Sequence, residues 1–384
     1  MGGTAVAGQL TAPRHQRIES TVRFEVATPD RDQAVRRLLR DNPIPGRISI
    51  SLERDPSYFA AAAVEGPEHQ TIVALEGDHV IAAGSVSARP RFINGAPIRV
   101  GYLGGLRMDA SIQGRASIIR RGYTFFRQLH EQGGPRIYLT SIVADNQRAR
   151  RFLERGLQDM PTYRFLGDFI TLIIRVRSPE SIKLVHRLQG NDESIVCGSE
   201  ESRSGVWDLL NRDLCRYQFA PVWSANELQP ADFRIVCSRA GCPVACAALW
   251  DQRSFKQIIV RGYAPRLRRA RPLINLGASL LSRPGLPRIG ESIPHAFVSH
   301  VAADTEEPDA LIRIIRALMP AARDRGIEYL TLGFDARDPR LAQLRNAFRP
   351  REYSSRLYAV HWEDGMDLAQ SLDDRLMAPE VALL

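Results

Sequence analysis

The sequence has no long apolar run, and this shortage excludes several classes of protein. No stretch approaches the roughly 18 uninterrupted apolar residues that a membrane helix needs. Residues 1–21 are small and polar and lack the apolar core of a secretory signal, so we expect a flexible N-terminal tail. No fixed glycine or heptad period is present. The 384 residues, 44% apolar and 25% charged, therefore predict a globular protein of two or three domains.

Cysteine is also scarce. The five cysteines all lie in the second half of the chain: Cys197, Cys215, Cys237, Cys242 and Cys246. None form a CxxC pair, and the set is too small for a disulfide scaffold. It also lacks the ligand spacing of a zinc site. We therefore expect free thiols, a cytoplasmic location and no metal.

Acidic residues are outnumbered by basic ones, with 43 Asp and Glu against 52 Lys and Arg, for a net charge of +9. Nearly all of the positive charge comes from arginine. A basic balance attracts phosphates, but a nucleic acid, an anionic cofactor and an acidic protein all remain open as partners. A GC-rich genome would also enrich arginine, so the charge assigns no function by itself.

Residues 22–177 alternate between strand and helix patterns. The expected strands share apolar alternation or short apolar runs: 22–27, 70–76, 79–86, 99–108, 137–143, 163–166 and 169–176. Helices are expected from Pro29 to Leu39, from Gly114 to Gln132, and from Asn146 to Arg155, where Gly156 ends the last one.

The second half repeats this plan after a polar linker at 178–192. A hairpin around Gly241 repeats the hairpin around Gly77, and Tyr329-Leu330-Thr331 repeats Tyr138-Leu139-Thr140. Such similarity predicts a duplicated domain at 193–365, with an insertion at 261–291 and a C-terminal tail at 366–384. The insertion could reach the first domain.

The strand at 99–108 leads through a turn into a helix that opens with small residues. A strand–turn–helix of this kind can hold an anion, because the free N–H groups and the helix dipole favour negative charge. Its residues are Gln113, Gly114, Arg115, Ala116, Ser117 and Ile118.

A second motif follows in order: the strand at 137–143 ends, and Asn146 and Ala149 open a helix that Gly156 ends. This succession resembles the GNAT family of acyl-CoA-dependent N-acyltransferases, whose two motifs are Gln/Arg-x-x-Gly-x-Gly/Ala and Asn-x-x-Ala. Gln113, Asn146, Ala149 and Gly156 match the family. Ala116 and Ile118 stand where the family usually has glycine, and Gly114 could compensate in part.

The resemblance implies an α/β fold of two tandem GNAT-like domains. Each would have a mixed, mostly antiparallel sheet with flanking helices and a splayed central pair of parallel strands. Acetyl-CoA or another acyl-CoA would bind in the first domain, between strands 99–108 and 137–143. The backbone at Leu106 and Met108 would bond the pantetheine, residues 113–118 would hold the pyrophosphate, and Asn146 with Ala149 would complete the site.

The family's usual acid–base positions carry other residues here. Tyr102 stands at the strand position where the family commonly has Glu or His, and Leu153 stands where the family commonly has Tyr. Glu53 and Tyr163 could substitute from neighbouring segments, although a structural role suits each of them better. The resemblance therefore leaves the catalytic residues as candidates: Tyr102, Glu53 and Tyr163.

The second copy departs from the motif. Carboxylates at Asp304–Asp309 replace the anion-binding loop and would repel a pyrophosphate, and Asp338 replaces the asparagine. We expect this copy to bind no CoA and to buttress the first domain or form a wall of the acceptor pocket. We expect His295 and His300 to lie in its core or on its surface, and the arginines of the insertion to form a solvated basic face.

Three functions fit these observations. The first is transfer of an acyl group, most simply acetyl, to a small-molecule or peptide amine. The second is a non-catalytic acyl-CoA sensor, which the missing Glu and Tyr favour. The third is an aminoacyl-tRNA-dependent transferase of tandem type, favoured by charge and duplication. The apparent CoA site and the lack of a long helical-hairpin insert argue against the third, so we expect neither a nucleic-acid nor a membrane partner.

Overall fold

The computed structural model describes residues 22–112, 115–156, 159–176, 195–197, 203–228, 232–237, 243–280, 285–303 and 309–384. The expected N-terminal tail and linker lie outside these ranges. Among the described residues, no helix is both long and apolar enough to cross a membrane.

The first half alternates strands and helices as its sequence predicts. Its strands are β1 (Val22–Val26), β2 (Ile48–Glu53), β3 (Glu68–Glu76), β4 (His79–Ile93), β5 (Ala96–Met108), β6 (Tyr138–Val143) and β7 (Thr162–Arg175). Its helices are α1 (Asp32–Asp41), α2 (Ala62–Glu65), α3 (Ala116–Glu131) and α4 (Gln147–Leu153). The Asn94-Gly95 turn joins β4 to β5 with both residues at positive φ, as its sequence indicates.

The second half follows the same plan. Its strands are β8 (Ile195–Cys197), β9 (Asp232–Cys237), β10 (Pro243–Trp250), β11 (Gln257–Tyr263), β12 (His295–Ala303), β13 (Tyr329–Asp335) and β14 (Arg351–His361). Its helices are α5 (Arg203–Leu214), α6 (Pro265–Leu280), α7 (Ala310–Asp324), α8 (Arg340–Phe348) and α9 (Met366–Gln370).

One mixed sheet joins the two halves, and its order shows that they exchange their last strands. The order is β1-β3-β4-β5-β6-β14-β7-β13-β12-β10-β9-β8. Strand β14, from the second half, pairs with β6 over Ser355–Val360, while β7, from the first half, pairs with β13. The two exchanged strands also pair with each other along their length. Each half therefore completes the sheet of the other.

A second contact between the halves comes from a strand at the start of the expected insertion. Strand β11 leaves the main sheet and pairs with β2 in an antiparallel ribbon, with Ile258 opposite Leu52 and Val260 opposite Ile50. The ribbon continues into the first residues of the expected insertion, with Gly262 opposite Ser49 and Tyr263 opposite Ile48.

The segment expected as a C-terminal tail is part of the core. Ala369, Met377 and Leu383 are each less than 5% exposed and pack in one cluster with residues of both halves. These apolar residues follow neither a helix nor a strand period, so the sequence pattern does not reveal their burial. A second difference concerns β7, which is one continuous strand where two short ones are expected.

Candidate functional site

The two central strands of the first half separate partway along their length. Parallel pairing joins Gly101 to Tyr138 and Tyr102 to Leu139, and the described residues that follow on β5 and β6 do not continue the ladder. Beyond it, the Thr140 hydroxyl donates to the Leu103 carbonyl at 2.7 Å. Both strands stay paired on their outer sides, β5 with β4 and β6 with β14. A gap therefore opens inside an otherwise continuous sheet.

The gap is open to solvent and partly apolar. Leu106 on β5 is 50% exposed, and Val143 on β6 is 46% exposed. A bulge at Gly105, whose φ is +66°, shifts the pairing of β5 with β4. Backbone amides along the inner edge of β5 are thus available to a ligand that lies in the gap like an added strand. The predicted contact residues Leu106 and Met108 lie on this edge.

The predicted anion-binding segment lies where β5 passes into α3. Gln113 and Gly114 fall outside the described residues. Arg115 precedes the helix, and Ala116 and Ser117 form its first turn. Ile118 is a correction: its side chain is 2% exposed within a cluster of β-strand residues, and its N–H bonds to the Arg115 carbonyl at 3.2 Å. It therefore supports the turn by packing and offers no free donor.

The asparagine motif forms a helix N-cap. Asn146 precedes α4, and its side-chain oxygen accepts a hydrogen bond from the Ala149 N–H at 3.2 Å. Ala149 packs against an apolar cluster, and Leu153, the residue in the place of the family's tyrosine, is buried there. Asn146 itself is exposed at the end of β6, so a ligand in the gap could still meet its side-chain amide.

Tyr102 stands at the point where the strands separate. It is the last β5 residue paired with β6, and its ring lies against Gly104, where a Cβ would come within 2.8 Å of it. Burial raises the pKa of the Tyr102 hydroxyl well above its ordinary value, so the phenol is protonated at neutral pH. Among the three catalytic candidates, Tyr102 alone lies beside the gap.

Glu53 lies away from the gap, and its carboxylate accepts hydrogen bonds from three neighbouring side chains. Its side chain is 5% exposed, Arg261 donates to it from Nε at 2.9 Å, and Arg40 does so at 3.2 Å. Ser51 also donates to it. Burial would raise the pKa of Glu53, but the hydrogen bonds from Ser51 and Arg261 outweigh burial and lower it. A carboxylate held in this way ties β2 to β11 and is a poor proton acceptor.

Tyr163 is likewise bound to a neighbour. Its hydroxyl is hydrogen-bonded to that of Tyr123 on α3, and the two rings meet edge to face with centroids 6.4 Å apart. Burial raises the pKa of Tyr163 well above its usual value. The pair anchors α3 to β7, which agrees with the structural role preferred for Tyr163 from the sequence.

The second half contains a corresponding gap that its own chain fills. Strands β12 and β13 pair only from His295 to Phe297 on the β12 side and then separate. The segment from Met377 to Leu383 lies between them: the Met377 N–H bonds to Asp335 at 3.0 Å, and Glu380 accepts from the His300 N–H at 3.0 Å. A cavity of about 50 Å³ remains. A water needs roughly 10–15 Å³ of such space, so the cavity holds a few waters and is far too small for a pantetheine arm.

The second gap also differs from the first at its bulge and at the position that corresponds to Asn146. His300 stands at the bulge with φ of +53° and is stacked on Trp223 at a centroid distance of 3.9 Å. Asp338 forms a two-point ion pair with Arg340, whose guanidinium lies over the Phe334 ring. His295 and His300 are both buried, as core residues. Of the acidic segment Asp304–Asp309, only Asp309 is among the described residues.

The structure adds a buried charged cluster that the sequence does not predict. Glu65, at the end of α2, pairs with Arg54 and lies 3.2 Å from His69 Nδ1. Lys256 from the second half adds a further charge, and its Nζ donates to the Leu384 backbone oxygen at 3.2 Å. Burial would raise the pKa of Glu65, but His69 and the nearby cations lower it to about 2. No motif links these residues, because the fold alone brings them together.

Comparison of the whole fold identifies its class. No protein-family model matches the sequence, and no curated protein matches it either. The structure is similar to that of Saccharomyces cerevisiae N-myristoyltransferase with bound myristoyl-CoA, at a TM-score of 0.58 and 10% identity over 89% of this chain and 83% of that one. The chain has a tandem GNAT fold. A GCN5-related N-acetyltransferase from Kribbella flavida aligns with 88% of this chain and 71% of that one at a TM-score of 0.46 and 12% identity.

The predicted GNAT architecture is thereby confirmed as a fold, with a splayed strand pair in each half, but the two sheets expected for the two copies are one continuous mixed sheet. The first GNAT copy has an open gap, and the second has a filled one. Among the described residues, no group of His, Cys, Asp and Glu side chains is arranged to hold a metal ion.

Proposed function

We propose that the protein is an acyl-CoA-dependent N-acyltransferase that uses only its first GNAT copy. The open gap between β5 and β6, set against the filled gap between β12 and β13, carries this proposal. The fold neighbour N-myristoyltransferase was determined with myristoyl-CoA, which supports an acyl-CoA as the co-substrate. Acetyl-CoA is the simplest donor, and a small-molecule or peptide amine in the cytoplasm is the acceptor.

The reaction would be direct attack of a neutral amine on the thioester. The inner edge of β5 would bind the pantetheine as an added strand, and the first turn of α3 would meet the pyrophosphate. Holding the two reactants together in this way supplies much of the rate. Tyr102 would donate a hydrogen bond to the departing sulfur, because burial raises the pKa of its phenol and keeps it protonated beside the gap.

A sensor without catalysis is the second candidate, and one observation favours it. Glu53 and Tyr163, the two substitutes for the usual acid and base, are both engaged by neighbours. Acyl-CoA binding with no thiol release across a panel of amines would favour the sensor.

The test places one charge at the predicted pyrophosphate site. Ala116→Glu adds a carboxylate to the first turn of α3, where the helix dipole stabilises acidic residues, so the fold should survive. Met366→Glu is the matched control, because Met366 is the 50% exposed first residue of α9 in the second half. Calorimetry with acetyl-CoA should give one site in the native chain and in the control.

The expected result for Ala116→Glu is loss of acetyl-CoA binding with an unchanged melting temperature. Two equivalent sites in the native chain would show that the second gap also binds. No binding of any acyl-CoA by the native chain would overturn the proposed function, and unchanged affinity in Ala116→Glu would move the phosphates elsewhere.

A further inference from the structure

Helix α6 is attached by its polar side to the loop that follows it, residues 285–291. The Asn275 side chain exchanges two hydrogen bonds with the Leu286 backbone, at 2.7 and 3.1 Å, and Arg271 donates from Nε to the Leu286 carbonyl at 3.3 Å. Among the described residues of α6, none is buried. An ordinary surface helix turns its apolar stripe toward the core, so α6 has the reverse orientation.

The opposite side of α6 carries an exposed stripe of arginine and leucine. Residues spaced alternately three and four apart share one side of a helix, and this spacing joins Arg266, Arg269, Leu273, Leu276 and Leu280. The three leucines are 74%, 61% and 80% exposed. At 3.6 residues per turn, the stripe lies about half a turn from the attached side. A contiguous apolar surface of this kind indicates a binding surface.

The sequence of α6 requires further contacts if the helix is to be stable. Pro272 lies inside the helix and removes one backbone hydrogen bond, and Gly277 also has a low helix propensity. Helices of this length are marginal in water unless they bury an apolar face. Because α6 exposes that face, the missing burial has to come from a surface that the described residues do not provide.

The charge of α6 indicates what kind of surface this is. The helix has four arginines and no acidic residue. Arg266, Arg268 and Arg269 are exposed, and they form no ion pair within the part of the chain that the structure describes. The attached loop has the same combination, since Arg288 and Ile289 are both more than half exposed. A basic and apolar surface is complementary to one that is anionic and apolar.

A lipid surface fits α6 better than a second copy or another protein does. Two copies, each with a net charge of +9, would bring their arginines together. Tryptophan and tyrosine dominate strong protein interfaces and leucine is under-represented there, whereas the stripe contains leucine and no aromatic residue. On a membrane surface, aliphatic side chains enter the acyl boundary and arginines reach the headgroups. With 16 residues, α6 is about 24 Å long, too short to cross a bilayer core of about 30 Å.

We propose that α6 docks the protein on a membrane surface that contains anionic phospholipid. The leucines of residues 273–280 would enter the acyl boundary, and Arg266 and Arg269 would pair with lipid phosphates. This inference is independent of the proposed acyl transfer. It departs from the expectation of no membrane partner, which depended on the lack of a long apolar run. That lack excludes a helix that crosses a bilayer, but it does not exclude a helix that lies on one.

Flotation of the full chain with vesicles tests the proposal. The vesicles are phosphatidylcholine alone or an equal mixture of phosphatidylcholine and phosphatidylglycerol. The native chain should bind the anionic vesicles about 10-fold or more tightly than the neutral ones, and added salt should reduce the difference. Hydrogen exchange of the backbone amides in residues 265–280 should slow when anionic vesicles are added.

One pair of variants tests the apolar contact. Leu273→Gln combined with Leu276→Gln should weaken vesicle binding about 10-fold or more and leave the melting temperature without vesicles unchanged, because both side chains are exposed. Met366→Gln is the matched control, since Met366 is a 50% exposed apolar residue at the start of α9. This control should bind like the native chain.

A second pair of variants tests the charge. Arg266→Gln combined with Arg269→Gln should weaken binding to the anionic vesicles about 10-fold, since each arginine near an anionic surface contributes several-fold to the affinity. Arg23→Gln combined with Arg127→Gln removes the same charge from exposed positions on β1 and α3, and it should retain native binding.

Several results would overturn the proposal: no binding of the native chain to anionic vesicles, equal binding to both kinds of vesicle, native binding by either α6 double variant, or slowed exchange only outside residues 265–280. Equal weakening in the Arg23 and Arg127 control would also overturn it, because net charge alone would then explain the binding. A native dimer that the leucine variant converts to a monomer, without vesicle binding, would overturn it by identifying a second copy as the partner of α6.

Discussion

The substitution Glu53→Gln separates a structural carboxylate from a catalytic one. Glu53 is 5% exposed and joins the two halves through Arg261, whose side chain is 26% exposed; it also pairs with Arg40 of its own half, which is 46% exposed. Removal of one partner from a fully buried pair costs about 3–5 kcal/mol, but partly exposed arginines are resolvated, so we expect about 1–3 kcal/mol. At about 2–4 °C per kcal/mol, the melting temperature should fall by roughly 2–12 °C.

The rate discriminates between the two roles. Loss of a general base typically lowers the rate about 10²- to 10⁴-fold, whereas loss of a tie between β2 and β11 leaves the rate per folded molecule nearly unchanged. The assay is thiol release from acetyl-CoA with a panel of amines, together with thermal unfolding. In a double-mutant cycle, Glu53→Gln and Arg261→Gln should not add, because the residues share one contact. A hundredfold slower Glu53→Gln with an unchanged melting temperature would refute our reasoning.

Two further predictions concern Glu65 and Gly105. Because the folded pKa of Glu65 is about 2 rather than 4.5, its ionised form contributes about 3 kcal/mol to the free energy of unfolding above about pH 5, and this contribution is lost as the pH falls toward 2. In urea unfolding between pH 5 and pH 2, the stability of Glu65→Gln should therefore fall less with pH than that of the native chain. Identical pH dependence in the two proteins would contradict this. Gly77→Val, at φ of +62° in open space, should cost about 1–2 kcal/mol and retain acetyl-CoA binding. Gly105→Val, at φ of +66°, should cost more because its Cβ would lie 3.2 Å from Ser85 Oγ, and it should weaken acetyl-CoA binding because it adds a side chain at the bulge beside the gap.

The elements around the gap follow local patterns, which is why the sequence predicts them closely. The expected strand at 99–108 is the end of β5, and the expected helix at 114–132 is α3, observed at 116–131. Three signals act within a few positions of the chain: the spacing of apolar residues, the Asn94-Gly95 turn, and the small residues at the start of a helix. The anion-binding segment is predicted from the same local signals, and its role stays a prediction.

The charged residues of the site could not be predicted, because their partners are far away in sequence. Glu53 is a candidate base by its residue type alone, and its bond to Arg261 spans 208 positions. The filled second gap depends on Met377 and Leu383, which have no periodic pattern. Topology, rather than composition, decides these roles.

The exchange of last strands has a consequence for the first half on its own. In a fragment of residues 1–177, β6 would lose its partner β14, and β7 would lose both β14 and β13. Leu172 and Ile174 on β7 are fully buried beneath α7 of the second half. Each buried aliphatic side chain contributes about 1.5–3 kcal/mol, so the fragment would expose several kcal/mol of core surface along two open strand edges.

We therefore expect the 1–177 fragment to be insoluble or inactive, although it contains every residue predicted to bind acyl-CoA. For the same reason the full chain should unfold in one transition, since neither half can keep its sheet when the other unfolds. Calorimetric unfolding of the full chain, with the ratio of calorimetric to van't Hoff enthalpy near one, measures this directly. A soluble, fully active fragment together with two separate transitions in the full chain would mean that the exchanged strands do not couple the copies.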